Sequence, residues 1–420
     1  MHPIRKETGR GGGPTTALPA GERCGAVVAV ASLPVAPVHV HGHHRHPGDA
    51  CEREHSETDL AKLSIAPGAK LEDWMSPICG TGTNKGRITV GKDCVAVGIG
   101  AGRQNYFRDN VERIPGSIFA DDVHGDTLPH LPTVLTGFLD EWPAYASREA
   151  GKSWSLQDLA ARTAGRKVSL DGGPSFARMS MCAGKVSLTE YERYSENESG
   201  QDSAPLYVFD PNILGPESTF CDDGSLVRDA FDTPACFSRD AAEAVCDEKF
   251  RPLPPKWLLV GAVRSGTPIH DHPTTVAWNA LLVGCKLWCC FPPDVDESAL
   301  LLNLDGNSSE QEGGGEDFDL SALEWFCRAG SSDGEEPGGR RHLHKSAKVI
   351  IQRPGEVVFL PIGWFHVVLN VEASTALSMS LTLRRDLPSV LPLFLEAERE
   401  FALWGRPTSD LDKQDADSGS

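Results

Sequence analysis

Three consecutive residues able to bind a metal ion, His270, Asp271 and His272, follow a strand-like apolar stretch at 257–263. Far along the chain, His366 leads into a second apolar stretch of the same kind. Two imidazoles and one carboxylate, with coordination positions left open, form the facial triad of non-haem Fe(II) oxygenases. The residue types and their placement on strands therefore predict a mononuclear metal site inside a β-barrel.

The identity of the third ligand depends on the local backbone. On a regular strand, residues two apart point to the same face, so His272 joins His270 and Asp271 points away. A bulge after His270 instead turns Asp271 inward. Strand parity favours a site made of three histidines, and the alternative with Asp271 stays open at this point.

Five segments around these residues carry a family resemblance. They are DNVERI (109–114), PLYVFD (205–210), RSGTPIH (264–270), AWNALLVGCKLWCCFPP (277–293) and PGEVVFLPIGWFHVVLN (354–370). In this order they resemble the Jumonji-C family, and within it the branch of the arginine demethylase and lysyl hydroxylase once called the phosphatidylserine receptor. The resemblance covers most of residues 105–385. It implies a mainly β fold with flanking helices (α+β), built on a double-stranded β-helix of the jelly-roll or cupin type.

The resemblance also implies Fe(II), 2-oxoglutarate and O₂ as cofactor and co-substrates. A buried lysine ammonium requires an anion beside it, and Lys286 matches the lysine that pairs with the distal carboxylate of 2-oxoglutarate. Ser378 stands where the family has a threonine, so a hydroxyl is kept. The implied catalytic metal ligands are His270, His272 and His366, and the implied co-substrate contacts are Lys286, Asn279, Thr267, Tyr207 and Ser378.

This chain departs from the family at the third ligand. The family pattern is His-x-Asp or His-x-Glu, whereas this chain reads His-Asp-His, and its stretch from His270 to Asn279 is one residue shorter. Pro273 follows His272 as a proline follows the acidic ligand in the relatives, which favours His272. Three neutral imidazoles leave more positive charge on iron than a triad with a carboxylate, so weaker iron retention or altered turnover is expected.

Composition narrows the class of partner. The chain has 420 residues, with 59 acidic against 40 basic side chains and a net charge of −19. This balance argues against direct DNA binding and suits a basic protein substrate. Twelve cysteines without a C-x-x-C pair indicate reduced thiols in an intracellular protein, nuclear or cytoplasmic, although an organellar transit peptide is left open. The apolar residues 25–40 are too few to span a membrane.

The chain divides into three parts. Residues 1–104 are Gly-, Pro- and His-rich and are predicted to be a disordered, low-complexity region. Residues 105–385 form the Jumonji-C domain with an α/β flank and an acidic, flexible insert at 303–340 that holds a helix near 320–327. Residues 386–420 contain a C-terminal helix and a frayed tail. In relatives such helices serve dimerisation, so a homodimer through this helix is expected.

Three functions compete at this stage. The first is an oxygenase that hydroxylates, or demethylates, a protein side chain such as lysine or arginine. The second is a catalytically impaired cupin-like binding or scaffold protein, and the third is an oxygenase acting on RNA or a small molecule. The retained co-substrate residues favour an enzyme, because a protein without 2-oxoglutarate has no physical need for them. The His-Asp-His sequence favours the second.

Overall fold

The described residues of this computed structural model are organised around β-strands. They comprise residues 86–99, 104–150, 153–163, 165–171, 185–202, 204–245, 256–296, 300, 320–329 and 343–404. The first eight strands are β1 (Gly86–Val90), β2 (Cys94–Ile99), β3 (Gln104–Arg108), β4 (Arg113–Pro115), β5 (Thr133–Thr136), β6 (Lys167–Asp171), β7 (Lys185–Ser187) and β8 (Tyr207–Asp210). The remaining strands are β9 (Lys256–Gly261), β10 (Gly266–His270), β11 (Val276–Val283), β12 (Lys286–Phe291), β13 (Lys348–Gln352), β14 (Glu356–Leu360), β15 (Phe365–Asn370) and β16 (Ser374–Leu381).

Two sheets face each other and enclose the interior of a barrel. The larger has the order β4-β5-β14-β11-β16-β9-β8-β6-β7, and the smaller has the order β10-β15-β12-β13. Successive residues of β11 are buried on both faces, as expected of a strand with an apolar core on each side. The predicted fold is therefore confirmed as mainly β, with the two-sheet arrangement of a jelly-roll barrel and flanking helices.

The flanking helices cover the outer face of the larger sheet. They are α1 (Pro143–Ala146), α2 (Leu156–Thr163) and α3 (Leu188–Asn197), and two later helices are α4 (Ala322–Arg328) and α5 (Leu387–Trp404). A capping box begins α3, because the Ser187 side chain accepts from the Glu190 backbone N–H while the Glu190 carboxylate accepts from the Ser187 backbone N–H. Buried aromatic side chains such as Trp142, Trp278 and Phe237 pack between these helices and the sheet.

A separate sheet, β1-β2-β3, covers the outer face of the smaller barrel sheet together with α4. Asn105 on β3 fixes this contact by donating to the backbone carbonyls of Phe326 and Cys327, at 3.0 Å and 2.7 Å. Strands β1 and β2 lie within the region predicted to be disordered, so that prediction was wrong for residues 86–99. Residues 1–85, with the His-rich cluster, lie outside the described residues.

The helix predicted near 320–327 inside the acidic insert is present as α4, Ala322–Arg328. It packs Leu323, Trp325 and Phe326 into the core beneath β2, β3 and the smaller sheet. Ser321 caps the helix by accepting from the backbone N–H of Glu324. A short apolar run inside an acidic, Gly-rich sequence was thus enough to build a packed element. The rest of the insert lies outside the described residues.

The C-terminal helix predicted within residues 386–420 is present as α5, Leu387–Trp404. Its side chains Val390 and Phe394 pack against Ala242 and Ile362. The described part of the chain contains no helix with both the length and the apolar character needed to cross a lipid bilayer.

Candidate metal centre and co-substrate site

Three histidines meet at one end of the barrel interior. Strand pairing places His270 of β10 directly opposite His366 of β15, and the ring centroids lie 4.1 Å apart. His272 lies beyond the end of β10, with its ring 5.2 Å from that of His270 and 5.3 Å from that of His366. One ligand nitrogen from each residue lies within 4.8 Å of the others. His366 is buried and the other two are partly exposed, so the cluster is open to solvent on one side.

The backbone fixes the tautomer of two of these rings. Nδ1 of His270 lies 2.8 Å from the Pro268 carbonyl oxygen, and Nδ1 of His366 lies 3.0 Å from the Trp364 carbonyl oxygen. A carbonyl oxygen can only accept, so each Nδ1 carries the proton and donates it. The lone pair of Nε2 is then available to a metal ion, which is the arrangement that metal-binding histidines use.

Burial keeps the three rings neutral. Removal from water lowers the pKa of His270 and, with the neighbouring rings as a second cause, brings the pKa of His366 well below its ordinary value. The same causes lower the pKa of His272 to about 3. Only a neutral imidazole binds a metal ion, so the cluster is in its metal-binding form at neutral pH.

The backbone around His272 explains why this residue joins the cluster. The pairing of β10 with β15 shifts register between Thr267 and His270, and β10 then ends. Beyond it, the His272 carbonyl accepts a 3.0 Å hydrogen bond from the backbone N–H of Gly363, two residues before β15 begins. Asp271 does not belong to the cluster, and burial raises the pKa of its carboxyl. An irregularity does exist, but it lies upstream of His270 and not after it.

His366 pairs with a residue near one end of β12. Lys286 lies at the other end of this strand, and its side chain faces the barrel interior. It is 1% exposed, and Nζ donates a 2.5 Å hydrogen bond to Oη of Tyr207 on β8. No carboxylate among the described residues forms an ion pair with it. Burial without a counterion lowers the pKa of Lys286 to about 7. A positive group in this position is suited to an anionic ligand.

The remaining predicted contacts also face the interior. Asn279 of β11 pairs in register with Ser378 of β16. Asn279 is buried, and its Oδ1 has no hydrogen-bond partner, whereas the Ser378 hydroxyl donates to the Trp278 carbonyl at 3.3 Å. Thr267 lies opposite Val368, which packs inside the barrel, so Thr267 shares that face. All five predicted co-substrate residues therefore lie on strands of the two facing barrel sheets that also carry His270 and His366.

Two polar residues of this interior were missing from the sequence-based set. Gln352 lies opposite Lys286 on one side, and Asn370 lies opposite it on the other. Gln352 accepts from the Trp288 indole N–H at 2.9 Å and donates to the Asn279 carbonyl at 2.8 Å. Asn370 is completely buried. The two-residue period of β15, which relates positions 366, 368 and 370, would have placed Asn370 on the histidine face.

Comparison with known proteins agrees with this architecture. The profile of the cupin-like domain matches residues 127–381, which is more than half of the chain and includes the three histidines and Lys286. The chain belongs to the cupin-like Jumonji-C family. Members with detectable similarity include the arginine-specific demethylase JMJ22 of Arabidopsis thaliana, 30% identical over 68% of this chain and 48% of its own length.

Two further Jumonji-C relatives carry other names. The bifunctional arginine demethylase and lysyl-hydroxylase psr-1 of Caenorhabditis briggsae is 28% identical over 68% of this chain and 65% of its own length. The 2-oxoglutarate and iron-dependent oxygenase JMJD4 of Gallus gallus is 28% identical over 44% of this chain and 40% of its own length. The matched region thus spans between two fifths and two thirds of these relatives.

Proposed function

We propose that this protein is an Fe(II)- and 2-oxoglutarate-dependent oxygenase that hydroxylates, or demethylates, a protein side chain such as lysine or arginine. The observation that carries the proposal is a pair of features inside one barrel. Three neutral imidazoles converge at one end, and a buried lysine without a counterion lies toward the other. The names of the Jumonji-C relatives, which include oxygenases, demethylases and a lysyl-hydroxylase, support the same activity.

The donor set fits Fe(II). His270, His272 and His366 would hold the ion, and His270 and His366 present Nε2 because their Nδ1 protons are committed to backbone carbonyls. Imidazole nitrogens suit first-row divalent metals including iron. When bound, the iron supplies the activation of O₂ and the oxidising power. The protein's part is to fix the ligand rings and leave coordination positions open.

The interior also fits 2-oxoglutarate. Lys286 and Tyr207 would bind the distal carboxylate, because a buried ammonium and a phenol are both donors. Asn279, Thr267 and Ser378 would orient the rest of the co-substrate. Because the pKa of Lys286 is about 7 without a counterion, the arriving carboxylate would keep the proton on Nζ.

The substrate class follows from charge. A net charge of −19 favours a basic protein or peptide as substrate over nucleic acid.

We extend the proposal to a homodimer formed through α5 and to an intracellular site, nuclear or cytoplasmic. The buried cysteines Cys236, Cys285, Cys289 and Cys290 are free thiols, which supports a reducing compartment.

A second candidate function rests on one specific observation. The third residue of the histidine cluster is His272, and not an aspartate or a glutamate. A neutral ligand holds iron less strongly than an anionic one, so a binding or scaffold protein that retains the barrel without turnover is the competing explanation.

The experiment that separates these functions is a succinate-release assay. The purified protein, loaded anaerobically with Fe(II), is supplied with 2-oxoglutarate, O₂ and a library of lysine- and arginine-containing peptides. An oxygenase releases succinate in step with a peptide mass increase of one oxygen atom, or with loss of a methyl group. The His366→Ala variant is the control. Absence of succinate from an iron-loaded wild-type protein supports the binding function.

A further inference from the structure

The end of the barrel around Lys286 contains an unused hydrogen-bond acceptor. Asn370 of β15 is in register with Lys286 of β12, so the two side chains lie side by side on the interior face. Both are buried, at 0% and 1% exposure. Oδ1 of Asn370 has no hydrogen-bond partner. A buried amide oxygen without a partner costs folding free energy, so its retention in this position calls for a ligand or a partner.

Neighbouring groups fix which end of the Asn370 amide is unused. Nδ2 donates to Oγ of Ser265 at 2.9 Å, and Ser265 in turn donates to the Ala262 carbonyl at 2.7 Å. A serine hydroxyl has a single proton, so Ser265 can only accept from Asn370. The amide is therefore oriented with nitrogen toward Ser265 and oxygen toward the interior. A flipped amide would place two acceptors against each other.

Gly261 provides the space for this orientation. An added Cβ at Gly261 would lie 2.1 Å from Nδ2 of Asn370 and 2.7 Å from Oγ of Ser265. Gly261 is also the strand partner of Tyr207, the residue that accepts the hydrogen bond from Lys286. Asn370 thus lies between Lys286 of β12 and Gly261 of β9.

The opposite neighbour of Lys286 is already held by other groups. Gln352, in register with Lys286 on β13, accepts from the Trp288 indole and donates to the Asn279 and Glu356 carbonyls. Both of its N–H donors are therefore used, and its oxygen already accepts one hydrogen bond, whereas Oδ1 of Asn370 accepts none. An ammonium group has three donors, and the Lys286 ammonium is bonded here to Tyr207.

We propose that Asn370 is a positioning residue for the co-substrate: its Oδ1 accepts a hydrogen bond from the Lys286 ammonium and directs another N–H toward the bound carboxylate. The inference rests on the proposed function, because it assumes that a 2-oxoglutarate carboxylate occupies this end of the barrel. Ser265 acts through Asn370 by holding the amide in the required orientation. Asn370 would act through Lys286 and not on the reacting atoms.

Substitution at Asn370 tests the inference by co-substrate affinity. Asn370→Ala removes the acceptor, and the KM for 2-oxoglutarate should rise roughly tenfold while kcat is retained, as expected for loss of a hydrogen bond to a charged group. Asn370→Asp places a carboxylate beside Lys286 that competes with the co-substrate, so affinity should fall by roughly a hundredfold or more. Calorimetric titration of 2-oxoglutarate into the Mn²⁺-loaded protein provides a readout that does not need turnover.

Two further variants separate positioning from general loss of stability. Asn105→Ala removes another buried asparagine, one that bonds α4 on the outer side of the smaller sheet. It should lower the melting temperature without changing 2-oxoglutarate affinity. Ser265→Ala should weaken affinity less than Asn370→Ala does, and the double variant should resemble Asn370→Ala alone, because both changes remove one interaction.

The outcomes distinguish this inference from the proposed function. Wild-type protein that does not bind 2-oxoglutarate overturns both. Wild-type protein that binds it, with Lys286→Ala deficient but Asn370→Ala and Asn370→Asp binding as wild type, overturns only the role of Asn370. Equal weakening by Asn105→Ala, or additive effects of Ser265→Ala and Asn370→Ala, also contradicts it.

Discussion

At the scale of single residues, two backbone carbonyls fix the tautomers of two rings in the histidine cluster. They hold the Nδ1 protons of His270 and His366, so both rings present Nε2 before an ion binds. Burial keeps these rings and His272 neutral by lowering the pKa of each. The protein therefore pays little reorganisation free energy when a divalent ion is bound.

The first prediction assigns the third ligand. His272→Ala should weaken Fe(II) binding by more than the roughly 10–100-fold typical of losing an outer partner, because it removes one of three nitrogens. Asp271→Ala should leave metal content nearly unchanged, because its carboxyl lies outside the cluster. His272→Asp introduces an anionic ligand and should strengthen retention if the shorter side chain reaches the ion. Metal analysis after dialysis compares all three, and loss of iron from Asp271→Ala alone would reverse the assignment.

The second prediction concerns stability as a function of pH. The pKa of Lys286 is about 7 in the folded protein, whereas an unfolded lysine has a pKa of about 10.4. Between these values the unfolded chain binds more protons, so the stability contributed by this site rises with pH. Lys286→Met lacks this dependence. Its free energy of unfolding should exceed that of wild type most below pH 7, by roughly 1.4 kcal/mol for each unit of pKa shift, and the difference should shrink as the pH rises.

Urea unfolding of the co-substrate-free protein, at pH values from about 6.5 to 10, measures this difference. A gap between Lys286→Met and wild type that does not change with pH would mean that Lys286 is not a buried, unpaired ammonium. The same variant should lose 2-oxoglutarate binding.

Residue types and parity predicted much of the site, but not its details. The two-residue strand period correctly placed His272 on the side of His270. The actual cause is different, since β10 ends at His270 and the Gly363 N–H holds the His272 carbonyl. Such a contact joins positions far apart in sequence, so no local pattern encodes it. Asn370 was missed because a single asparagine in a strand does not by itself indicate a functional site.

At the scale of elements, the loop before β15 links the histidine cluster to the C-terminal helix. Gly363 has a φ of +72° and donates its N–H to the His272 carbonyl, and the preceding Ile362 packs against Val390 and Phe394 of α5. Position 363 thus requires a left-handed backbone, which favours glycine. The loop's geometry is transmitted to His272 through one hydrogen bond.

The third prediction compares two glycines with nearly the same backbone angle. Gly363→Ala and Gly165→Ala, the latter at a φ of +75° with open space around its Cβ position, should each cost roughly 1–2 kcal/mol of stability. Only Gly363→Ala should also weaken metal binding, because only Gly363 holds His272. Thermal unfolding and metal titration of both variants test this. Equal metal affinity in the two proteins would exclude the loop from positioning His272.

The fourth prediction concerns the helix within the acidic insert. Trp325 of α4 is 1% exposed, and its indole N–H donates to the Leu300 carbonyl at 2.8 Å. Trp325→Ala should therefore destabilise the protein by about 3–5 kcal/mol. Affinity for 2-oxoglutarate should be unchanged in the folded fraction, because α4 packs on the outer side of the smaller sheet. A loss below about 1 kcal/mol would mean that the insert is as loosely attached as its composition predicted.

At the scale of the whole molecule, the family resemblance predicted the barrel, whereas the amino-acid composition predicted less of the fold. The strand-like stretches predicted at 257–263 and after His366 correspond to β9 and β15. The sheet β1-β2-β3 was missed because Gly-rich flanks masked short strands that are stable only when packed on another sheet. The net charge of −19 belongs to the sequence as a whole and is not assigned to one surface.

The fifth prediction tests whether this charge selects the substrate. If a basic peptide is attracted by the acidic surface, its KM should rise as salt is increased from low ionic strength to 0.15 M, where screening acts over about 8 Å. A neutral peptide that contains the same target residue should show no such rise. Equal salt dependence for the two peptides would exclude electrostatic selection.

The central claim is that the three histidines and Lys286 form one catalytic site. Its most direct test is succinate release coupled to peptide oxidation in the Fe(II)-loaded wild type, His272→Ala, Asp271→Ala and Lys286→Ala proteins. We expect turnover in wild type and Asp271→Ala, and loss of turnover in His272→Ala and Lys286→Ala with folding retained. Iron-loaded wild-type protein that binds 2-oxoglutarate but releases no succinate with any peptide, or full activity in Lys286→Ala, would contradict it.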